Sequence, residues 1–297
     1  MRITVVFLTL FLASLSVSYA QELSGDQQYN PHSVRPVRRH DISFRKSLWW
    51  RIDLRQKMNK SFFATGNEIT KIVIDAVKAG VLRPFQNDSL KTRMSNKDFN
   101  ENLKIPGADD GADDDLFGGG GGDWGGGGDD WGGGGGDDWG GGGGDDWGDG
   151  GGAVEEAPQE FFASQIYILD LKEHILFDRK RSRMYHDIQA LTVVIPGNQY
   201  STGLDKPLAT FSYKELVENV FVDNPYAIWF NPDNTAQHRN LADAFDLRLF
   251  TGKLVRYSNP KGEMIEDTYS GNQKLGLAKS QEYEFYLLEY ESNLWSN

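Results

Sequence analysis

Residues 211–269 read FSYKELVENVFVDNPYAIWFNPDNTAQHRNLADAFDLRLFTGKLVRYSNPKGEMIEDTY and hold the densest run of local structural signals in the chain. Ser212 and Glu215 form an S-x-x-E capping box, which predicts a helix start. Leu216, Val217, Val220 and Phe221 then share one helical face. Asn224-Pro225 ends that helix, because proline disfavours the α region at the residue before it. The apolar run from Tyr226 to Phe230 predicts a buried strand, and Asn231-Pro232-Asp233-Asn234 a turn. Asn234 or Thr235 is the expected cap of the next helix, which carries Leu241, Ala244, Phe245 and Leu249 on one face. Gly252 is its expected left-handed stop. Leu254 to Tyr257 resumes as a strand, and Asn259-Pro260-Lys261-Gly262 reads as a turn. This is α/β patterning with no recognisable catalytic arrangement.

The same logic extends upstream. Residues 48–55, LWWRIDLR, alternate as a strand with Trp50, Ile52 and Leu54 inward and Trp49, Arg51, Asp53 and Arg55 outward. Thr65-Gly66-Asn67-Glu68 is a second capping box, leading into a stripe of Ile69, Ile72, Val73, Ala76 and Val77 that stops at Gly80. Val81 to Phe85 reads as extended, residues 86–89 as a turn, and Ser95 with Asp98 as the start of a helix burying Phe99 and Leu103. Downstream, residues 166–177 and 185–195 are rich in β-branched and aromatic residues, and the charged run DRKRSR at 178–183 joins them as an antiparallel pair. Tyr283, Tyr286, Leu287 and Tyr290 recur at helical spacing, with Leu294 and Trp295 extending that face as core or subunit contact.

Between these patterned halves the character changes. Twenty-five of the 34 glycines fall between Gly107 and Gly152, and Trp124, Trp131, Trp139 and Trp147 each follow aspartate. Glycine loses the most entropy on ordering and adjacent aspartates repel, so residues 107–159 are expected to be a disordered acidic loop. A calcium-binding β-roll is the competing reading. The spacing of seven and eight, with the large apolar residue directly after aspartate, breaks the alternation such a roll needs.

Composition narrows the class. Arg2, the apolar run to Leu15 and Ser18-Tyr19-Ala20 predict a secretory signal over residues 1–20, its apolar run too short for a membrane span. There is no cysteine, so neither a disulfide nor a lipid on cysteine is available. The net charge of −12 divides unevenly: +1 over residues 1–20 from Arg2, +7 over 21–106, −15 over 107–159 and −5 over 160–297. Residues 21–40 form a polar arm with Arg35, Arg38 and Arg39, read as a disordered terminus or as an arm docking on an acidic neighbour. The basic residues form no stacked aromatic platform, so no nucleic-acid partner is expected.

Catalytic patterns are absent from this reading. No two of the five histidines are four apart, and no nucleophile elbow, P-loop or dinucleotide fingerprint occurs in the patterned parts. No cofactor, metal or catalytic residue is assigned. His238 near Asp243 and Asp246 reads as a structural histidine on a helix face. Asn59-Lys60-Ser61 and Asn87-Asp88-Ser89 match the glycosylation pattern, which is short enough to arise by chance. A carboxylate pair for glycoside hydrolysis cannot be recognised from sequence.

Several of these residues together resemble one family. Residues 48–55, the helix 67–80 with LRPF at 82–85, and NDSL at 87–90 are similar to the gliding-motility family GldN, also called PorN. So are 224–232, ADAFD at 242–246, VRYSNP at 255–260 and LEYESNLW at 288–295. The resemblance implies a non-enzymatic periplasmic subunit of the type IX secretion and gliding apparatus. It further implies a ring-like assembly with an outer-membrane lipoprotein of the GldK (PorK) kind, which would hold the chain at the membrane. The periplasmic part of a GldL–GldM-like motor and further copies of the chain are the other implied contacts. The acidic insert departs from the family pattern.

The expected architecture is one α+β domain of short strands and amphipathic helices, drawn from residues 41–106 and 160–297 and interrupted by the insert. Candidate partner-binding residues are Arg35, Arg38 and Arg39 on the arm, the outward row Trp49, Arg51 and Arg55, and the carboxyl-terminal Tyr286, Tyr290 and Trp295. A secreted glycan-binding or adhesion module, using the insert's tryptophans as stacking platforms, is the alternative function. A periplasmic hydrolase comes third.

Overall fold

The computed structural model describes residues 29–105, 159–200, 203–222, 224–269 and 271–295, with the side chain of Trp295 outside that set. The expected signal segment, the start of the arm and the glycine-rich insert lie outside the described residues. The chain divides into two units. One is Met1–Lys104 with Phe161–Asn297; of the other, Ile105–Glu160, only Ile105, Gln159 and Glu160 are described. There the Ile105 N–H donates to the Gln159 carbonyl at 2.9 Å.

The larger unit is an α+β domain. Its strands and helices, in order, are β1 (Ile42–Asp53), β2 (Phe63–Ala64), β3 (Asn67–Glu68), α1 (Ile69–Lys78), α2 (Asn96–Leu103), β4 (Ile168–Asp178), β5 (Arg183–Ile195) and β6 (Lys206–Ser212). There follow α3 (Tyr213–Leu216) with a π-helical turn (Val217–Phe221), β7 (Ile228–Trp229), β8 (Arg239–Asn240), α4 (Leu241–Asp246), β9 (Lys253–Tyr257), α5 (Ile265–Thr268) and α6 (Gln273–Trp295). A five-stranded antiparallel sheet, ordered β6-β5-β4-β1-β9, is built from both sides of the insert. Its three central strands are long rather than short, at 11 to 13 residues.

Alternation explains β1. Leu48, Trp50, Ile52 and Leu54 are buried, while Trp49 and Arg51 face the other side half-buried. The buried side meets an aromatic cluster centred on Phe245, whose ring lies 5.1 Å from Phe62, 5.9 Å from Tyr213 and 5.7 Å from Phe250. Arg248 spans the two groups, its guanidinium 5.4 Å from the Trp50 ring and 5.1 Å from Phe250. The free edge of β6 is bridged by Phe85, which exchanges two backbone hydrogen bonds with Thr210.

Several local expectations are corrected. Neither capping box closes: Ser212 ends β6 and makes no side-chain cap bond, and Glu68 is paired in the β2–β3 hairpin. Glu215 instead binds Arg93 at 2.6 Å. The run from Tyr226 to Phe230 is not a buried strand, since only Ile228–Trp229 pairs and Tyr226 is 67% exposed. α4 is capped by Asn240, whose side chain accepts from the Ala242 N–H, because the chain between 231 and 238 forms a surface turn of its own. Gly252 is not the left-handed stop; Arg248 takes that conformation, φ +52°. His238 is off the helix, with Nδ1 accepting from the Asn231 N–H and its ring against Phe230.

Other expectations hold. α1 buries Ile69, Ile72, Val73 and Val77 and ends before Gly80 at φ +74°. α2 starts on Ser95, whose hydroxyl accepts from the Asp98 N–H, and buries Phe99 and Leu103. β4 and β5 pair antiparallel through the 178–183 turn, and β9 adds to β1.

Candidate interaction surfaces

The outward row of β1 is engaged within the fold. Trp49 lies between its strand neighbours Lys172 and Arg256, with the Arg256 guanidinium 3.9 Å and the Lys172 ammonium 5.4 Å from its ring. Its indole N–H donates to Asp88 at 2.6 Å, and the same carboxylate pairs with Arg256 at 3.1 Å and Lys172 at 3.6 Å. Arg51 grips Asp170 through Nε and Nη2 and reaches Asp205 with Nη1. These hydrogen bonds, led by Asp170, raise its pKa further. Arg55 binds Asp53 and stacks 3.4 Å above the Tyr167 ring.

The arm from Tyr29 onward is docked rather than free. Asn30 and Ser33 are buried and donate to Asp187 at 2.6 Å each, and Gln189 adds a third bond. The arm closes on itself, the Asn30 N–H donating to the Val37 carbonyl and the Val37 N–H to the Asn30 side chain. Arg35 meets Asp246 at 2.6 Å. Arg38 and Arg39 remain exposed, held by the hydroxyl and carbonyl of Tyr29.

Below the arm is a cleft of about 410 Å3, where Arg35, His186, Asp187, Asp246 and Arg248 converge. Two of its three carboxylates are occupied, Asp246 by Arg35 and Asp187 by three donors, and the third, Asp243, is exposed. Among the described residues no group of three or more His, Cys, Asp or Glu could hold a metal ion.

The side of α6 turned to the sheet carries Tyr283, stacked 4.1 Å from Tyr257, Tyr290 4.5 Å from Phe44, and Ser280, which donates to the Leu254 carbonyl. Burial, with Tyr257 and Tyr286 nearby, pushes the Tyr283 phenol up to about 12. Tyr286 is 50% exposed and flanks the sheet-facing side, its ring 5.8 Å from Tyr283 and 6.4 Å from Tyr290, while the opposite side leaves Phe285 71% and Leu288 62% exposed. A helix apolar on both sides has two surfaces to bury, and the domain covers one.

One family description, Gliding motility associated protein GldN, matches residues 37–296. The chain belongs to the GldN family. Membership makes it a component of the gliding-motility and type IX secretion machinery. Comparison with curated proteins gives no match. No helix among the described residues is long and apolar enough to cross a membrane.

The sequence singled out Tyr286 and Tyr290 on α6 but not Phe285 and Leu288, the most exposed large apolar residues of that helix. The readable signal was that α6 has too many apolar residues for a single stripe. Glu173 and Asp187 were also missed. Glu173 stands where alternation from Leu169 and Leu171 to Ile175 calls for an apolar residue, and that interruption is visible in sequence.

Proposed function

We propose that this GldN-family protein is a non-enzymatic periplasmic scaffold that joins an outer-membrane lipoprotein of the GldK kind in a ring-like assembly. The exposed face of α6 carries this reading: Phe285 and Leu288 are large, outward and uncovered. Such a face suits an apolar partner surface, and aromatic anchors dominate interface energetics. The partner anchors the chain at the membrane, and the assembly bears on the periplasmic part of a GldL–GldM-like motor. Scaffold chemistry fits a site inventory in which buried acids are spent on internal donors and cations.

The test is affinity purification of the native complex with F285E/L288E. Both substitutions are on exposed positions, so the fold should survive, as a circular-dichroism melt would check. Loss of the co-purifying lipoprotein with an unchanged melt is the expected result. Full recovery of the lipoprotein would remove α6 from the interface, and turnover of a small molecule by the purified chain would remove the scaffold reading.

A further inference from the structure

The β4–β5 turn and the start of β1 build a single basic pole. Arg179, Lys180, Arg181 and Arg183 on the turn and Arg38 and Arg39 beside β1 are all exposed. The two segments are tied by the Arg179 N–H, which donates to the Asp41 carbonyl at 2.8 Å. The two carboxylates pairing within the pole are recessed. Asp178 is fully buried beneath Arg181, accepting from its guanidinium and from the Lys180 and Arg181 N–H groups. Asp41, its side chain only 15% exposed, meets His40. The surface offered to solvent is therefore cationic, and arginine-rich, which favours carboxylate partners held by two hydrogen bonds at once.

The chain itself carries a matching partner in sequence. Residues 107–159 hold fifteen acidic residues and no base. They depart from the larger unit at the far end of β4. There the Phe161 N–H donates to the Leu103 carbonyl, and Phe161 stacks on Tyr200, which follows the end of β5. β4 runs from that end, at Ile168, to the pole, at Asp178. Eleven strand residues span about 35 Å, so the pole and the Leu103–Phe161 junction stand at opposite ends of β4.

We propose that the basic pole receives the acidic segment 107–159 of a second copy of this chain. Such a contact is heterologous, joining one end of a protomer to the other end of the next. Repetition of a heterologous contact generates rings or open filaments, not closed dimers. The proposal deepens the scaffold reading by assigning the surface through which copies meet, and it requires no lipoprotein.

Two variants of the full mature chain test it by sedimentation. R179E/K180E/R183E reverses the pole and keeps the acidic segment. Replacing residues 107–158 with a short Gly-Ser linker keeps the pole, and the hydrogen bonds of Leu103 with Phe161 and of Ile105 with Gln159 hold the junction. The parent should self-associate at low salt and dissociate as salt rises. Each variant alone should associate about tenfold or more weakly. Mixed, they should form a one-to-one complex and grow no further, since only one pole and one acidic segment remain. A parent that stays monomeric at low salt would overturn the proposal, as would either variant assembling like the parent or a mixture that fails to pair. Because only purified chain is used, any of these outcomes leaves the lipoprotein pull-down to stand or fall separately.

Discussion

Arg248 takes a left-handed backbone conformation, φ +52°, and its guanidinium closes on the buried carboxylate of Glu173. Glu173 also accepts from the Trp50 indole at 2.6 Å and lies 3.5 Å from His186 Nδ1. Burial pushes this carboxyl up, but the His186 hydrogen bond and the Arg248 charge outweigh it and hold the pKa below the usual carboxylate range. Its contribution is fully present above the unfolded value and is lost as pH falls through the lower folded one. E173Q is expected to cost about 3 kcal/mol in urea unfolding at neutral pH, with the cost shrinking in acid. R248G should be less damaging than R248A by about 1 kcal/mol, because glycine adopts positive φ freely.

Asp187 has the opposite pH behaviour. Burial pushes its pKa from 3.8 up to about 6, although Ser33, Asn30 and Gln189 donate to it and pull the other way. A folded value above the unfolded one means the native state binds the proton more tightly. Stability from this group is therefore greatest below the unfolded value and declines as pH rises through the folded one. The unfolding free energy of the parent minus that of D187N should fall by about 2 kcal/mol between pH 4 and pH 7. Urea titrations at intervals across that range would show it, and a flat difference would mean that the three donors offset the burial of Asp187.

Asp88 ties a loop to the open face of β1. Its ion pairs with Lys172 and Arg256 are part-exposed, so solvent screening limits them, while the Trp49 indole donates to the same carboxylate as a neutral group. D88A should cost about 1–2 kcal/mol, part of it lost again at high salt. W49F keeps a ring for the two cations and deletes the N–H, so it should cost about 1 kcal/mol with less salt dependence.

Gly197 opens the turn after β5. A Cβ there would sit 2.4 Å from the Gly203 carbonyl oxygen and 2.7 Å from its carbon. Backbone cannot step aside as a side chain can, so G197A should lower stability by about 2 kcal/mol or more. A thermal melt of G197A beside G66A separates close approach from conformation, since Gly66 has open space around it and only its φ of +87° to protect.

What the sequence made legible was local. Alternation showed that Trp50 and Ile52 share a face, and the 178–183 charges marked a turn, because both signals depend on near neighbours. Partners stayed hidden: β1 pairs with β9 across some 200 residues of chain, and periodicity shows that a face is apolar without showing what covers it. Gly252 illustrates the limit. What a glycine relieves there is crowding: a Cβ would meet the Arg51 carbonyl oxygen and the Ile52 side chain at 3.2 Å. The capping boxes failed for a related reason, since strand pairing and the Arg93–Glu215 ion pair claimed the same residues.

Asn59 is where a surface-type sequence pattern proves to be interior structure. Asn59-Lys60-Ser61 matches a glycosylation acceptor, yet Asn59 is fully buried and its amide is spent. Its Nδ2 donates to the carbonyls of Asp53 and Thr251 at 2.8 Å each, and its Oδ1 accepts from the Thr251 N–H at 2.8 Å. One side chain thus joins the end of β1 to the segment that leads into β9. N59A should cost about 3 kcal/mol, since it opens a cavity at a fully buried site and leaves three backbone groups without this partner. N59D has nearly the same shape but replaces the donor with a second acceptor, facing two carbonyl oxygens with a buried charge. It should be more damaging than N59A despite filling the site, and urea unfolding of the pair gives the order directly. The reverse order would mean that packing, and not hydrogen bonding, is what Asn59 supplies.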